Sequence, residues 1–230
     1  MKVDKEYKGL VIKKFNEFFL VQLNQKESLN GNNKFLCKIR KSVNFRNQVV
    51  FVGDQVIVSQ LDLKGKRATI ETLVKRSNFL ERPSVANISN IYVICSVDEP
   101  KLNLSQVNRF LISAEKLCVE VSLVLTKCDL ITEPKRLSLI EKFQKWGYQV
   151  ITLNINNQES FRNLMIELKK KKCSIFMGPS GVGKTTLLNR IIPNINRSTS
   201  AVSSKIKRGK NTTRNIELFQ LSGKSYIVDT

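Results

Sequence analysis

The sequence predicts two domains, a small all-β barrel followed by a larger α/β domain built on a parallel sheet. Three observations predict it. Up to about residue 75 the chain reads as short apolar runs separated by turn-rich stretches. Beyond a polar linker, strand-like and helix-like segments alternate. Between Gly178 and Thr185 the chain carries G-x-x-x-x-G-K-[ST], with an apolar strand-length run before it and an apolar-rich helix-length run after it.

In the first part, strands are expected at Gly9 to Ile12, Phe18 to Leu23, Phe35 to Arg40, Val49 to Val58 and Ala68 to Val74. Leu29-Asn30-Gly31-Asn32-Asn33 and Leu63-Lys64-Gly65-Lys66 read as turns between them, and Gly53-Asp54 as a turn or bulge within one strand. Five short strands in so short a stretch suggest the five-stranded oligonucleotide-binding (OB) barrel. Such barrels bind nucleic acid through a basic, aromatic face. Phe15, Phe18, Phe19, Phe35, Phe45 and Phe51 are available for stacking, although most phenylalanines of so small a domain belong in its core.

The linker is Lys75-Arg76-Ser77-Asn78-Phe79-Leu80-Glu81-Arg82-Pro83, which places the domains at 1–75 and 76–230. Asn90 to Val97, Val121 to Leu125, Gln149 to Leu153 and Cys173 to Met177 then read as buried strands. Leu102 to Val119 sets Leu104, Val107, Leu111, Ala114 and Cys118 at helical spacing, with Asn103 or Ser105 as N-cap. Further helices are expected at Pro134 to Trp146 and at Ser160 to Lys171, the latter with a lysine-rich last turn that suits its dipole. Another is expected at Thr186 to Ile192, ending before Pro193. This alternation predicts a parallel sheet with helices on both faces.

The spacing from Gly178 to Thr186 is dictated by phosphate chemistry. Gly178, Gly181 and Gly183, with Pro179, Ser180 and Val182 between them, let successive backbone N–H groups turn toward one anion. The helix that begins at Lys184, Thr185 and Thr186 adds its orphan donors and positive dipole end. Lys184 is expected to stabilise charge on the β and γ phosphates, and the Thr185 hydroxyl to ligate Mg²⁺.

A second motif, Thr126-Lys127-Cys128-Asp129-Leu130, closes the Val121 to Leu125 strand, at the sheet edge where open α/β folds bind ligands. Guanine offers adjacent N1–H and N2–H₂ donors, and Asp129 can accept from both; adenine lacks that pair. Thr126, Lys127 and Asp129 are together expected to select guanine, with the Lys127 stem covering the base. Asp129 precedes Gly178, the reverse of the order in ordinary GTP-binding proteins. After the phosphate loop come Gly209-Lys210-Asn211-Thr212-Thr213-Arg214 and Tyr226-Ile227-Val228-Asp229-Thr230. Thr212 or Thr213 stands where a switch threonine would ligate Mg²⁺ and sense the γ-phosphate. Asp229, after an apolar strand, stands where a carboxylate would hold Mg²⁺.

Composition bounds the remaining choices. The 230 residues are 41% hydrophobic, with no run long enough to span a membrane and no signal-peptide core. Five cysteines lie scattered and histidine is absent, which argues against a zinc site or a disulfide framework within this chain and fits a reducing, cytoplasmic setting. The net charge is +20, with clusters at Lys64 to Arg67, Lys169 to Lys172 and Lys205 to Lys210. Such a balance favours a polyanionic partner, RNA above all.

Together these motifs resemble the ribosome small subunit-dependent GTPase A family of circularly permuted GTPases. The resemblance also rests on Arg82-Pro83-x-Val85-Ala86-Asn87-Ile88, on Asn108-Arg109-Phe110-Leu111 followed by Ala114-Glu115, and on Gly209-Lys210-Asn211-Thr212-Thr213. It implies an OB-type barrel, a permuted GTPase domain and a C-terminal zinc-binding domain. It also implies late maturation of the small ribosomal subunit, contact with its rRNA, and hydrolysis stimulated by the subunit. The chain departs from the family pattern at Asn154 to Phe161, which lacks the alanine and glycines of the family's S-A-x-x-G-x-G loop. It ends at Thr230, inside D-T-P-G, so the zinc domain is expected to lie outside it. The expected ligands are GTP or GDP and Mg²⁺, and the expected form is a monomer. The rival readings are an ATP-using phosphate-loop enzyme, a GTPase of another ribosomal particle, and a non-catalytic RNA-binding module whose loop nucleotide orders.

Overall fold

The computed structural model describes residues 5–24, 33–40, 49–193 and 216–229. The chain divides into two compact units, one of Met1–Ile88 with Arg214–Phe219 and Val228–Thr230, the other of Ser89–Thr213 with Gln220–Ile227.

The first unit is a closed barrel of β1 (Tyr7–Phe15), β2 (Phe18–Leu23), β3 (Lys34–Ile39), β4 (Gln55–Asp62) and β5 (Arg67–Leu73). The order β1-β2-β3-β5-β4 closes through β4 onto β1, and β3 pairs with β5 in parallel while the other pairs are antiparallel. The five-stranded, OB-type barrel read from the sequence is therefore present. Alternation places Phe19 and Val21 of β2, Phe35 and Cys37 of β3, and Val56 and Val58 of β4 in one core with Val11 and Ile70. On β1 the barrel also carries the start of β12 (Glu217–Ser222), where Lys13 pairs with Glu217 in both backbone and side chain.

The expected strand Val49 to Val58 forms only from Gln55 onward. Gly53 turns the chain at φ 89°, where a Cβ would lie 2.1 Å from the Ala86 carbonyl oxygen. Asp54 then points inward, fully buried, and accepts from Arg76 Nε at 2.6 Å, Arg76 Nη2 at 2.7 Å and the Phe51 amide at 2.8 Å. The guanidinium of Arg76 lies 5.1 Å from the Phe51 ring centre and 5.2 Å from that of Phe79. Two short strands follow, β6 (Phe79–Leu80) and β7 (Val85–Ala86), and Asn87 donates to the Gly53 carbonyl at 2.9 Å. The segment after Arg76 thus folds back on the barrel.

The second unit holds β8 (Asn90–Ser96), β9 (Glu120–Thr126), β10 (Gln149–Leu153), β11 (Cys173–Met177) and, as far as Ile227, β13 (Ser225–Asp229), in the order β10-β9-β8-β11-β13. Strands β8 to β11 run parallel. Every residue of β8 is buried, as a central strand covered on both faces requires. Between the strands lie α1 (Leu104–Glu115), α2 (Glu133–Lys145), α3 (Gln158–Lys170) and α4 (Lys184–Ile191). Asn103 caps α1 by accepting from the Gln106 amide, and Asn157 caps α3 by accepting from that of Ser160. Each helix buries a narrow stripe: Val107, Leu111 and Ala114 on α1, Phe143 on α2, Leu164 and Leu168 on α3, Leu187 and Leu188 on α4. Because β8 to β11 are parallel, their following loops gather at one edge of the sheet. Among the described residues no helix is long and apolar enough to cross a membrane.

The Asp54–Arg76 pair yields a stability prediction. Arg76→Ala leaves a buried carboxylate without its partner, at a cost of about 3 kcal/mol or more. Urea unfolding of the variant should show the midpoint lowered accordingly. A midpoint within error of the unsubstituted chain would show that the pair contributes nothing net.

Candidate nucleotide-binding site

The phosphate-loop residues connect β11 to α4. Gly178, Gly181 and Gly183 have φ values of 147°, 82° and 95°. A Cβ at Gly178 would lie 2.2 Å from the Ile94 carbonyl oxygen, so the loop start admits only glycine. Lys184, the first residue of α4, folds back over the loop: its ammonium donates to the Gly178 carbonyl at 2.8 Å and to that of Pro179. Thr185 and Thr186 are exposed on the first turn of α4. Val182 is buried, with its carbonyl facing Thr126.

Thr126 ends β9, and its buried hydroxyl lies 2.9 Å from the Val182 carbonyl oxygen and 3.2 Å from that of Cys95. One side chain thereby ties the ends of β8 and β9 to the loop after β11. Lys127 has left-handed backbone (φ 57°) and donates to the Glu99 carbonyl. Glu99 belongs to the loop after β8, whose Pro100 lies 3.6 Å from where a Cβ on Gly181 would be. A 3₁₀ turn, Cys128–Leu130, then presents Asp129. The Cys128 thiol donates to the Leu125 carbonyl at 3.2 Å, and burial raises its pKa above the usual thiol range. It stays protonated and supplies no nucleophile.

Asp129 lines a polar cleft of about 420 Å³ together with Arg136, Thr152, Asn154 and Ser160. One wall of this cleft is the segment that stands in the place of the family's alanine- and glycine-bearing loop. Asn154 Oδ1 accepts from the Asn156 amide at 2.9 Å, and the Asn157 amide donates to the Asn154 carbonyl at 3.0 Å. The Ser160 hydroxyl donates to the same carbonyl at 2.9 Å. Asparagine side chains thus hold a tight turn without glycine. Sequence reasoning placed Asn154 in the segment that stands for the family's S-A-x-x-G-x-G loop, but did not single out Glu99, Pro100 or Arg136 as neighbours of the site. The available signal was topological, since each follows a parallel strand at its carboxyl end.

Asp229 is the last residue of β13. Thr212 and Thr213, and the Lys205 to Lys210 cluster, lie outside the described residues. Among the described residues no group of three or more histidine, cysteine or carboxylate side chains forms a metal cage.

Fold and site define a class: an α/β protein with a phosphate loop after β11 and a guanine-type T-K-x-D turn after β9, in permuted order, joined to an OB-type barrel. The RsgA GTPase family profile matches residues 73–230, and the chain belongs to that family and is a GTP hydrolase. The small ribosomal subunit biogenesis GTPase RsgA of Prochlorococcus marinus strain NATL1A is 39% identical over 230 residues, covering 97% of this chain and 74% of its own. The protein of the same name from Parasynechococcus marenigrum strain WH8102 is 36% identical over 222 residues, covering 96% and 74%. Among solved structures, YjeQ from Thermotoga maritima superposes with a TM-score of 0.78 at 26% identity, covering 98% of this chain and 74% of YjeQ. YloQ, described as a circularly permuted GTPase, gives the same score and identity, with 98% and 71% covered.

Thr126→Val keeps the side-chain shape but removes the hydroxyl from the Val182 and Cys95 carbonyls. Losing the hydroxyl's donated bond, foremost to the Val182 carbonyl, costs about 1–3 kcal/mol. GTP affinity measured by titration calorimetry should fall about fivefold or more, whereas Thr126→Ser, which restores the hydroxyl, should recover most of it. Equal affinities for all three proteins would show that the tie does not hold the site together.

Proposed function

We propose that this chain hydrolyses GTP to GDP in the cytoplasm, as a monomer, during biogenesis of the small ribosomal subunit, and that it contacts the rRNA of that particle. The observation that carries the reading is the convergence of Asp129 and the Gly178–Thr186 loop at one sheet edge, held together by Thr126. The named relatives support the ribosomal setting, and the +20 charge supports an RNA partner.

The roles follow from the chemistry. Asp129 accepts from N1–H and N2–H₂ of guanine, Lys127 covers the base, and Thr126 positions both motifs rather than touching the base. Backbone amides of Gly178 to Thr186 surround the phosphates, and Lys184 exchanges its loop carbonyls for β and γ oxygens, where negative charge builds during transfer. The oxygen donors Thr185 and Asp229 fit Mg²⁺, a hard cation that keeps most of its shell as water and phosphate and needs few protein ligands. When bound, Mg²⁺ neutralises charge on the β and γ oxygens. Thr212 or Thr213 would complete the site by reading the γ-phosphate.

Base choice tests the assignment. Asp129→Asn should weaken GTP by about tenfold or more, from the loss of charge-assisted hydrogen bonds, and should favour xanthosine triphosphate, whose C2 carbonyl accepts from the new amide. Titration with GTP, ATP and xanthosine triphosphate reads this directly. An unchanged GTP affinity, or wild-type ATP affinity equal to that for GTP, overturns the guanine site. Binding to purified small subunits should also weaken with salt by about 0.7–0.9 log units per log unit for each phosphate contacted. Salt-independent binding, or equal binding to large subunits, removes the ribosomal reading and leaves the GTPase intact.

A further inference from the structure

The loop after β8 makes contacts that the roles given so far do not use. The buried Ser96 hydroxyl, at the end of β8, donates to the Asp98 carbonyl, and the Asp98 carboxylate accepts from the Glu99 amide at 3.0 Å. Glu99 has left-handed backbone, with φ 50°, an uncommon conformation for a residue that carries a Cβ. Its carbonyl accepts from the Lys127 ammonium, and Lys127 is itself left-handed at φ 57°. Both ends of one hydrogen bond thus stand in a sparsely populated conformation, which persists only where surrounding contacts enforce it. Pro100 is exposed, yet its Cδ lies 3.6 Å from the point that a Cβ on Gly181 would occupy. One loop therefore meets the T-K-x-D turn through Glu99 and the glycine-rich loop through Pro100. Thr126 joins the same two segments from the buried side, and this loop joins them from the solvent side.

We propose that Glu99 and Pro100 are positioning residues that set how long a guanine nucleotide stays bound. Pro100 braces the loop against Gly181, and the braced Glu99 carbonyl holds the Lys127 ammonium so that the lysine stem stays over the base. The proposal rests on the reading that Asp129 and the Gly178–Thr186 loop bind a guanine nucleotide. A free lysine is a flexible side chain, and ordering it at each binding event costs entropy. Fixing its ammonium on a carbonyl of the protein, by a charge-assisted hydrogen bond, removes much of that cost before the ligand arrives. The ammonium is then committed to the loop, and the stem is what the base meets. Differences of this kind fall mainly on dissociation, because encounter still proceeds by diffusion.

The test uses the full 230-residue chain loaded with fluorescent GDP and chased with excess unlabelled GDP in a stopped-flow instrument. Wild type is compared with Pro100→Ala, Lys127→Met and the double variant. Lys127→Met keeps an apolar stem for the base and loses the ammonium, so release should quicken about tenfold. Pro100→Ala should quicken release about threefold or more, by freeing the loop that carries the Glu99 carbonyl, while the association rate changes little. The double variant should release no faster than Lys127→Met, because the loop has no ammonium left to hold. A defect of folding alone would instead add to the effect of Lys127→Met. Release at the wild-type rate from either single variant, or a double variant whose acceleration is the product of the two single ones, overturns the brace and leaves the guanine site in place. Failure of wild type to bind the fluorescent GDP overturns the guanine-nucleotide reading itself.

Discussion

The Thr126 hydroxyl is a small group on which much of the second unit depends. It sits between the carbonyls of Cys95 and Val182, at the carboxyl ends of β8 and β9 and within the loop after β11. Thr126, Cys95 and Val182 are all buried. In such a setting a hydrogen bond fixes geometry as well as contributing energy, since the unpaired alternative is costly. The T-K-x-D turn and the glycine-rich loop are therefore held in one register. A ligand that fits one is presented correctly to the other.

This arrangement explains why reversed motif order costs the site nothing. A nucleotide meets loops, not a chain direction. In a parallel sheet every loop after a strand reaches the same edge, whichever strand came first. Here the loops after β8, β9, β10 and β11 supply Glu99 and Pro100, Asp129, Asn154 and the glycine-rich turn. Permutation moves the break in the chain without moving the loops. In the barrel unit the chain exit is secured separately, by Asp54 and Arg76 between two phenylalanine rings.

Much of this was legible in the sequence, for identifiable reasons. The runs Gln149 to Leu153 and Cys173 to Met177 matched β10 and β11 end for end, because short, mainly apolar runs between polar or turn-forming residues leave little choice. The phosphate loop was legible because only glycine tolerates its dihedrals. The helices at α2 and α3 begin slightly earlier than their apolar periodicity suggested, because the residues starting them, such as Gln158 after the cap Asn157, face solvent. Val49 to Val58 read as one strand because apolar runs flank Gly53-Asp54, itself legible as a turn or bulge. What no local pattern announces is that Asp54 is buried against Arg76, far along the chain. The same holds for Thr126, whose sequence context suggests a base contact and whose surroundings commit its hydroxyl to two distant carbonyls. The Asn154 to Ser160 segment shows the reverse: its missing glycines were plain, but the asparagine-held turn that replaces them needed coordinates.

The central claim is that one sheet edge selects guanine, holds its triphosphate for hydrolysis, and does so in the service of the small ribosomal subunit. Multiple-turnover phosphate release tests it most directly, with GTP and ATP compared, each alone and with purified small or large subunits. GTP should be cleaved, ATP should not, and small subunits alone should raise the rate. Equal turnover of ATP and GTP, or stimulation by large subunits as strong as by small ones, would contradict it.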